Sequence, residues 1–123
     1  YEDKKGPLKN FTPITAIWGN IEAGKEVTLT ATRGYWTLLY VIDGKIKVNS
    51  REIAPYHLVV FDKEDEQSDI HIAALENTRL LYLCAEPIDE PVAAKDNFVM
   101  NTQAEVDQAI EDYRNGLFGS LEQ

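Results

Sequence analysis

The amino-acid sequence predicts an all-β domain, a jelly-roll sandwich with one C-terminal α-helix, and three observations carry that reading. Apolar runs of strand length recur from Ile14 to Cys84, punctuated by Gly, Asn and Pro, with no helical periodicity among them. The strongest of them lies in residues 24–44, which begin and end on glycine. Its second half, Trp-Thr-Leu-Leu-Tyr-Val-Ile at 36–42, is unbroken strand formers. After residue 101 the pattern changes, and Thr102-Gln103-Ala104-Glu105 is a capping box that opens a helix.

Residues 1–13 carry Lys4-Lys5-Gly6-Pro7 and read as a lead-in. A first strand covers Ile14-Thr15-Ala16-Ile17-Trp18 and Ile21, with Gly19-Asn20 as a bulge. Residues 22–25 turn. Residues 26–31 alternate, with Val27 and Leu29 on one face and Thr28 and Thr30 on the other. Asp43-Gly44 then closes a tight hairpin onto Lys45-Ile46-Lys47-Val48, because an Asp-Gly pair suits positive-φ positions. Asn49-Ser50-Arg51 turns again, and His57 leads into the buried strand Leu58-Val59-Val60-Phe61. An acidic loop at 62–68 precedes two more strands, 69–73 and 79–84. Pro87 and Pro91 keep 86–91 extended. Phe98-Val99-Met100 is a short extended piece before the helix at about 103–114, whose apolar stripe is Val106, Ala109, Ile110 and Tyr113. Gly116 lies just past its end.

The chain has 123 residues, enough for one domain with a real core. Its 21 acidic against 12 basic residues, net −9, argue against direct nucleic-acid binding, which draws its affinity from Lys and Arg at phosphates. No apolar run reaches the ~18 residues of a membrane span, and Tyr1-Glu2-Asp3-Lys4-Lys5 does not read as a signal peptide. One cysteine, Cys84, sits in an apolar strand and fits a reducing, cytoplasmic setting, as a buried hydrophobe rather than a reactive thiol.

The glycine-to-glycine spacing of 24–44 is that of a metal-binding cupin strand pair, which makes the expected fold a cupin-type double-stranded β-helix. Counted at that spacing, the ligand positions are Thr30, Thr32 and Thr37, with Val60 the fourth after Pro55. Iron, manganese or zinc needs imidazole and carboxylate donors there, and these residues supply none. The two histidines stand elsewhere, His57 in a loop and His71 between Ile70 and Ile72. No nucleophile–base pair or phosphate loop stands out. The expectation is a domain without metal or cofactor, not an enzyme by itself.

The tail carries a family resemblance. Glu86-Pro87-Ile88-Asp89-Glu90-Pro91-Val92, then Asn97-Phe98-Val99-Met100-Asn101-Thr102 and Glu111-Asp112-Tyr113-Arg114-Asn115-Gly116-Leu117-Phe118-Gly119, closely resembles the end of pirin-family proteins. Thr12-Pro13-Ile14-Thr15, Asp43-Gly44 and His57-Leu58-Val59-Val60-Phe61 resemble the second half of the same family. Ala85 and Asp96-Asn97 stand where the family commonly has Gly and Gly-Pro. The resemblance implies a metal-free C-terminal cupin-like half. In the family, iron held by three His and one Glu sits in the N-terminal half. Bacterial members resemble quercetin 2,3-dioxygenases, and animal members are nuclear transcription co-regulators.

Three functional expectations follow. The first is a structural, binding or regulatory module working through protein contact. The second is the second half of a quercetin 2,3-dioxygenase, active only with a metal-bearing N-terminal half. The third is a small-molecule pocket lined by Thr28, Thr30, Thr32, Thr37, Leu39 and Val60. Strand alternation puts Thr37, Leu39 and Val41 on one face and Trp36, Leu38, Tyr40 and Ile42 on the other, so that if the first set turns inward the second points out. With Phe98 and Met100 these make an interface surface too apolar to stay wet. Its cover is the tail of the same chain, an N-terminal half or a second copy. A symmetric homodimer, with the C-terminal segment exchanged or not, is the expectation.

Overall fold

The structure is a computed structural model that describes residues 6–7, 9–62 and 66–119. Part of the lead-in and the centre of the acidic loop therefore lie outside the described residues. Two compact units divide between Pro87 and Ile88.

The first unit is an antiparallel jelly-roll sandwich. Its strands are β1 (Ile14–Ile21), β2 (Glu26–Ala31), β3 (Trp36–Asp43), β4 (Ile46–Val48), β5 (Arg51–Ile53), β6 (Leu58–Phe61), β7 (Ser68–Ala74) and β8 (Thr78–Ala85). They form two four-stranded sheets, ordered β1-β8-β3-β6 and β2-β7-β4-β5. Alternation decides what each strand buries. Leu39 and Val41 on β3 and Leu80, Tyr82 and Cys84 on β8 meet Leu29, Ile46, Val48, Ile70 and Ile72 from the opposite sheet in one core. As β3 alternates, Thr37, Leu39 and Val41 are buried while Trp36, Leu38, Tyr40 and Ile42 are not.

Four sequence expectations change. β6 is not a buried strand, since alternation leaves Leu58 and Val60 exposed while Val59 and Phe61 pack against the core. β1 runs unbroken in register with β8, so Gly19-Asn20 makes no bulge. β5 begins at Arg51, read from sequence as part of a turn, and continues through Glu52 and Ile53, which sequence reading leaves without assignment; at three residues it is too short for periodicity to register. Most consequential, Asp43-Gly44 closes no hairpin. β3 pairs with β6 and β8, and β4 with β5 and β7, so the turn carries the chain from one sheet to the other. An Asp-Gly pair specifies a tight turn, whereas pairing across it depends on the neighbours available on each side.

Long-range contacts hold that crossing. The Asp43 carboxylate accepts from the Arg79 backbone N–H at 2.9 Å and from Arg79 Nε at 2.7 Å. The Lys45 carbonyl accepts from the N–H of Leu75 at 2.8 Å. The Arg79 guanidinium, chiefly through its side-chain hydrogen bond, holds the Asp43 carboxyl below the usual carboxylate range.

The second unit comprises the hairpin of β9 (Ala93–Lys95) and β10 (Phe98–Met100), on which α1 (Gln103–Arg114) packs. β9 is another strand too short to be read from sequence. Both halves of the capping box are present. The Glu105 N–H donates to Thr102 Oγ1, and the Glu105 carboxylate accepts the Thr102 N–H at 2.8 Å. Val106 and Ala109 are buried, and Tyr113 joins Phe98 and Phe118 in a ring cluster with centroids about 6 Å apart.

Candidate functional site

The six pocket residues expected from sequence do not converge. Thr37 and Leu39 turn into the core, whereas Thr28, Thr30 and Thr32 lie on the opposite side of β2 or its end from the buried Leu29 and Ala31. Val60 is 56% exposed, and its neighbours Val59 and Phe61 are the ones packed against the core. Counting at cupin spacing is off by one on both β2 and β6, and a slip of one residue flips every side chain to the other face. The apolar alternation of Val27, Leu29 and Ala31 carried the register that the spacing missed.

On the outer face Thr28 Oγ1 lies 3.1 Å from His71 Nδ1, and Thr30 Oγ1 donates toward Asp69 Oδ1 at 3.4 Å. His71 is therefore an exposed, cross-strand-paired histidine. His57 Nδ1 sits 2.9 Å from its own turn's Pro55 carbonyl. Inside, Thr37 Oγ1 donates to Cys84 Sγ at 3.5 Å and Tyr82 Oη to the Thr30 carbonyl at 2.8 Å. That interior offers the hydroxyls of Thr37 and Tyr82 and the thiol of Cys84 among apolar side chains, with no imidazole or carboxylate in the core cluster. Among the described residues no three His, Cys, Asp or Glu side chains cluster as metal ligands do. One of the molecule's concavities instead lies along the sandwich's open side, between edge strands β5 and β6. This cleft of about 400 Å³ has Val48 and Ile70 on its apolar floor and Arg51, Asp62 and Asp69 at its rim.

The most extensive feature is the outer face of the β1-β8-β3-β6 sheet. Register aligns its outward side chains in rows across the strands. Trp18, Leu81, Tyr40 and Leu58 make one row, and Ala16, Leu83, Leu38 and Val60 the next. Ile14, Ala85 and Trp36 make a third. Trp18 is 66% exposed, Leu58 and Val60 each 56%, and Trp36 49%. Of the residues expected to form an interface, Trp36, Leu38, Tyr40 and Ile42 share this side of β3. Phe98 and Met100 belong to the second unit, half-buried on β10. Sequence reading missed Ile14, Trp18, Leu58, Leu81 and Leu83. The alternation of 78–85 carries the signal for the leucines, but only strand pairing assembles the rows.

Comparison with known proteins agrees with this architecture. The profile of the Pirin C-terminal cupin domain matches residues 17–119. Pirin-1 of Arabidopsis thaliana is 34% identical over 94% of the chain, and Pirin of Homo sapiens 27% identical over 94%. A crystal structure of quercetin 2,3-dioxygenase from Acinetobacter baumannii superposes with a TM-score of 0.90 over 99% of the chain at 32% identity. The chain spans 42% of the length of both the Arabidopsis protein and the Acinetobacter structure, and 41% of the human protein.

Proposed function

The chain belongs to the pirin family, as its C-terminal cupin domain, and from that premise we propose that it is a protein-contact module. Its docking surface is the outer face of the β1-β8-β3-β6 sheet. The three apolar rows of that face carry the reading. An antiparallel sheet with one face in water is ordinarily polar there. Each large apolar side chain left wet forgoes about 1.5–3 kcal/mol of burial. Trp36, Leu38, Tyr40 and Ile42 belong to the surface. Phe98 and Met100 are not called upon, since Phe98 is engaged with the rings of Tyr113 and Phe118. The partner is a second cupin-type half, either a metal-bearing pirin N-terminal half or another copy of this chain. The module holds no metal of its own, and the buried thiol of Cys84 suits the reducing cytoplasm.

Titration of the chain against a separately purified, metal-bearing pirin N-terminal half, with light scattering of each alone, tests this. Leu58→Lys with Val60→Lys changes two side chains already more than half exposed, so folding is spared. The double variant is expected to weaken association at least about tenfold. Equal binding by wild type and variant overturns the reading.

A second reading rests on the 0.90 TM-score to a quercetin 2,3-dioxygenase of which this chain spans 42%. The chain is then the second half of such an enzyme, active only beside the metal-bearing half. Flavonol oxidation that appears only in the mixture supports it.

A further inference from the structure

We propose that β1 is a self-pairing edge. Two copies join β1 to β1, antiparallel about a two-fold axis, and merge their β1-β8-β3-β6 sheets into one continuous sheet. The proposal goes beyond the outer-face docking surface: it concerns the strand edge beside that face, and the partner is a second copy of this chain.

Among the described residues, the backbone shows which groups of β1 are available to pair. The Glu86 N–H donates to the Pro13 carbonyl at 3.0 Å, one step beyond the Ile14–Ala85 pair. Antiparallel ladders alternate, so Thr15, Ile17, Gly19 and Ile21 aim their N–H and C=O groups at β8. Ile14, Ala16, Trp18 and Asn20 aim theirs away from it. β1 is the last strand of its sheet among the described residues.

Edge strands are normally blunted by charge, proline, a bulge or shortness. The other three edges are blunted in these ways. β5 has three residues and carries Arg51 and Glu52, β6 has four, and β2 begins on Glu26 behind Lys25. β1 is eight residues long, with an unbroken register and neither charge nor proline within it. In a chain of net charge −9, a neutral strand is a place where two copies can meet without opposing charges to desolvate.

The strand is also complementary to itself. A two-fold axis at Ile17 pairs Ala16 with Trp18 and Ile14 with Asn20, so every outward amide of both copies finds a carbonyl. On the outer face it sets the large Trp18 against the small Ala16, and on the inner face Thr15 against Gly19. Trp18, already the most exposed member of the apolar rows, then lies at the seam of the joined sheets.

Residue-resolved amide hydrogen exchange at low and high protein concentration, with sedimentation in parallel, tests the proposal. Sedimentation is expected to show a species of twice the 13.9 kDa chain mass at about 100 µM, strengthened by added salt that screens the net charge. The amides of Ile14, Ala16, Trp18 and Asn20 should slow at least about tenfold in that species, while those of Thr15, Ile17 and Gly19 stay protected at both concentrations. Ala16→Pro removes one outward donor and leaves the β8 ladder intact, a placement proline tolerates on an edge. It should give a monomer with the odd-numbered amides still protected. If this variant fails to fold, the wild-type exchange pattern decides alone. A wild-type monomer with freely exchanging even-numbered amides overturns the proposal and leaves docking to an N-terminal half standing. A dimer that survives Ala16→Pro but is lost in the Leu58→Lys, Val60→Lys variant overturns the edge and retains the face.

Discussion

Gly44→Ala tests whether the sheet-crossing turn is set by close approach as well as by backbone conformation. Gly44 has φ +77°, where a side chain costs about 1–2 kcal/mol. A Cβ there would also stand 2.8 Å from Thr78 Cα, and nearer still to the Asn77 carbonyl oxygen and Thr78 Oγ1. Thr78 does not yield easily. It is buried, and its hydroxyl donates to the Glu76 carbonyl at 2.9 Å and lies 3.3 Å from the Lys45 carbonyl. Forcing backbone apart in a packed region adds about 1–3 kcal/mol. The total is about 2–5 kcal/mol, a large part of the ~5–15 kcal/mol that holds a domain folded. Gly24 is the internal control, because it shares a positive φ of +75° but has open space where its Cβ would fall. Gly24→Ala should therefore cost about 1–2 kcal/mol from conformation alone. Urea unfolding of the three proteins reads the difference as midpoint shifts at constant slope. If Gly44→Ala and Gly24→Ala agree within about 0.5 kcal/mol, close approach contributes nothing and the reasoning fails.

Leu39→Ala, at a fully buried position on β3, should lose about 2–5 kcal/mol in the same assay, whereas Leu58→Ala on the exposed face of β6 should stay within about 0.5 kcal/mol. Thr102→Ala removes the cap of α1 and should cost about 0.5–2 kcal/mol, with faster amide exchange confined to the first helical turn. Because Arg79 depresses the Asp43 carboxyl, the folded value lies below the unfolded one. That stabilisation is present above the ordinary carboxylate pKa and fades as pH falls through the folded value. Asp43→Asn should therefore be less stable than wild type near neutrality, and the two should converge in acid unfolding below about pH 4.

Strand positions were legible because residues 26–31 alternate with a period of two and residues 36–42 and 79–84 are short unbroken runs of strand formers. The capping box was legible for the same local reason, since Thr102 and Glu105 meet within one turn. The division of β3 into Thr37, Leu39 and Val41 on one face and Trp36, Leu38, Tyr40 and Ile42 on the other was legible as well, and packing against the opposite sheet decided that the first set is buried. The family, too, was written in the chain, in contiguous signatures such as Phe98-Val99-Met100-Asn101-Thr102. Tertiary structure decided what depends on residues far apart in sequence. Asp43-Gly44 specifies a turn, but whether β3 then pairs with β4 depends on β6 and β8 flanking one strand and β5 and β7 the other. Thr30 and Thr32 face outward because the Thr30 carbonyl receives Tyr82 and Leu29 meets the opposite sheet. The apolar rows exist only once β1, β8, β3 and β6 lie side by side in register. A sequence states which face of a strand is apolar, and hydrogen-bonded partners from distant segments determine what that face becomes part of.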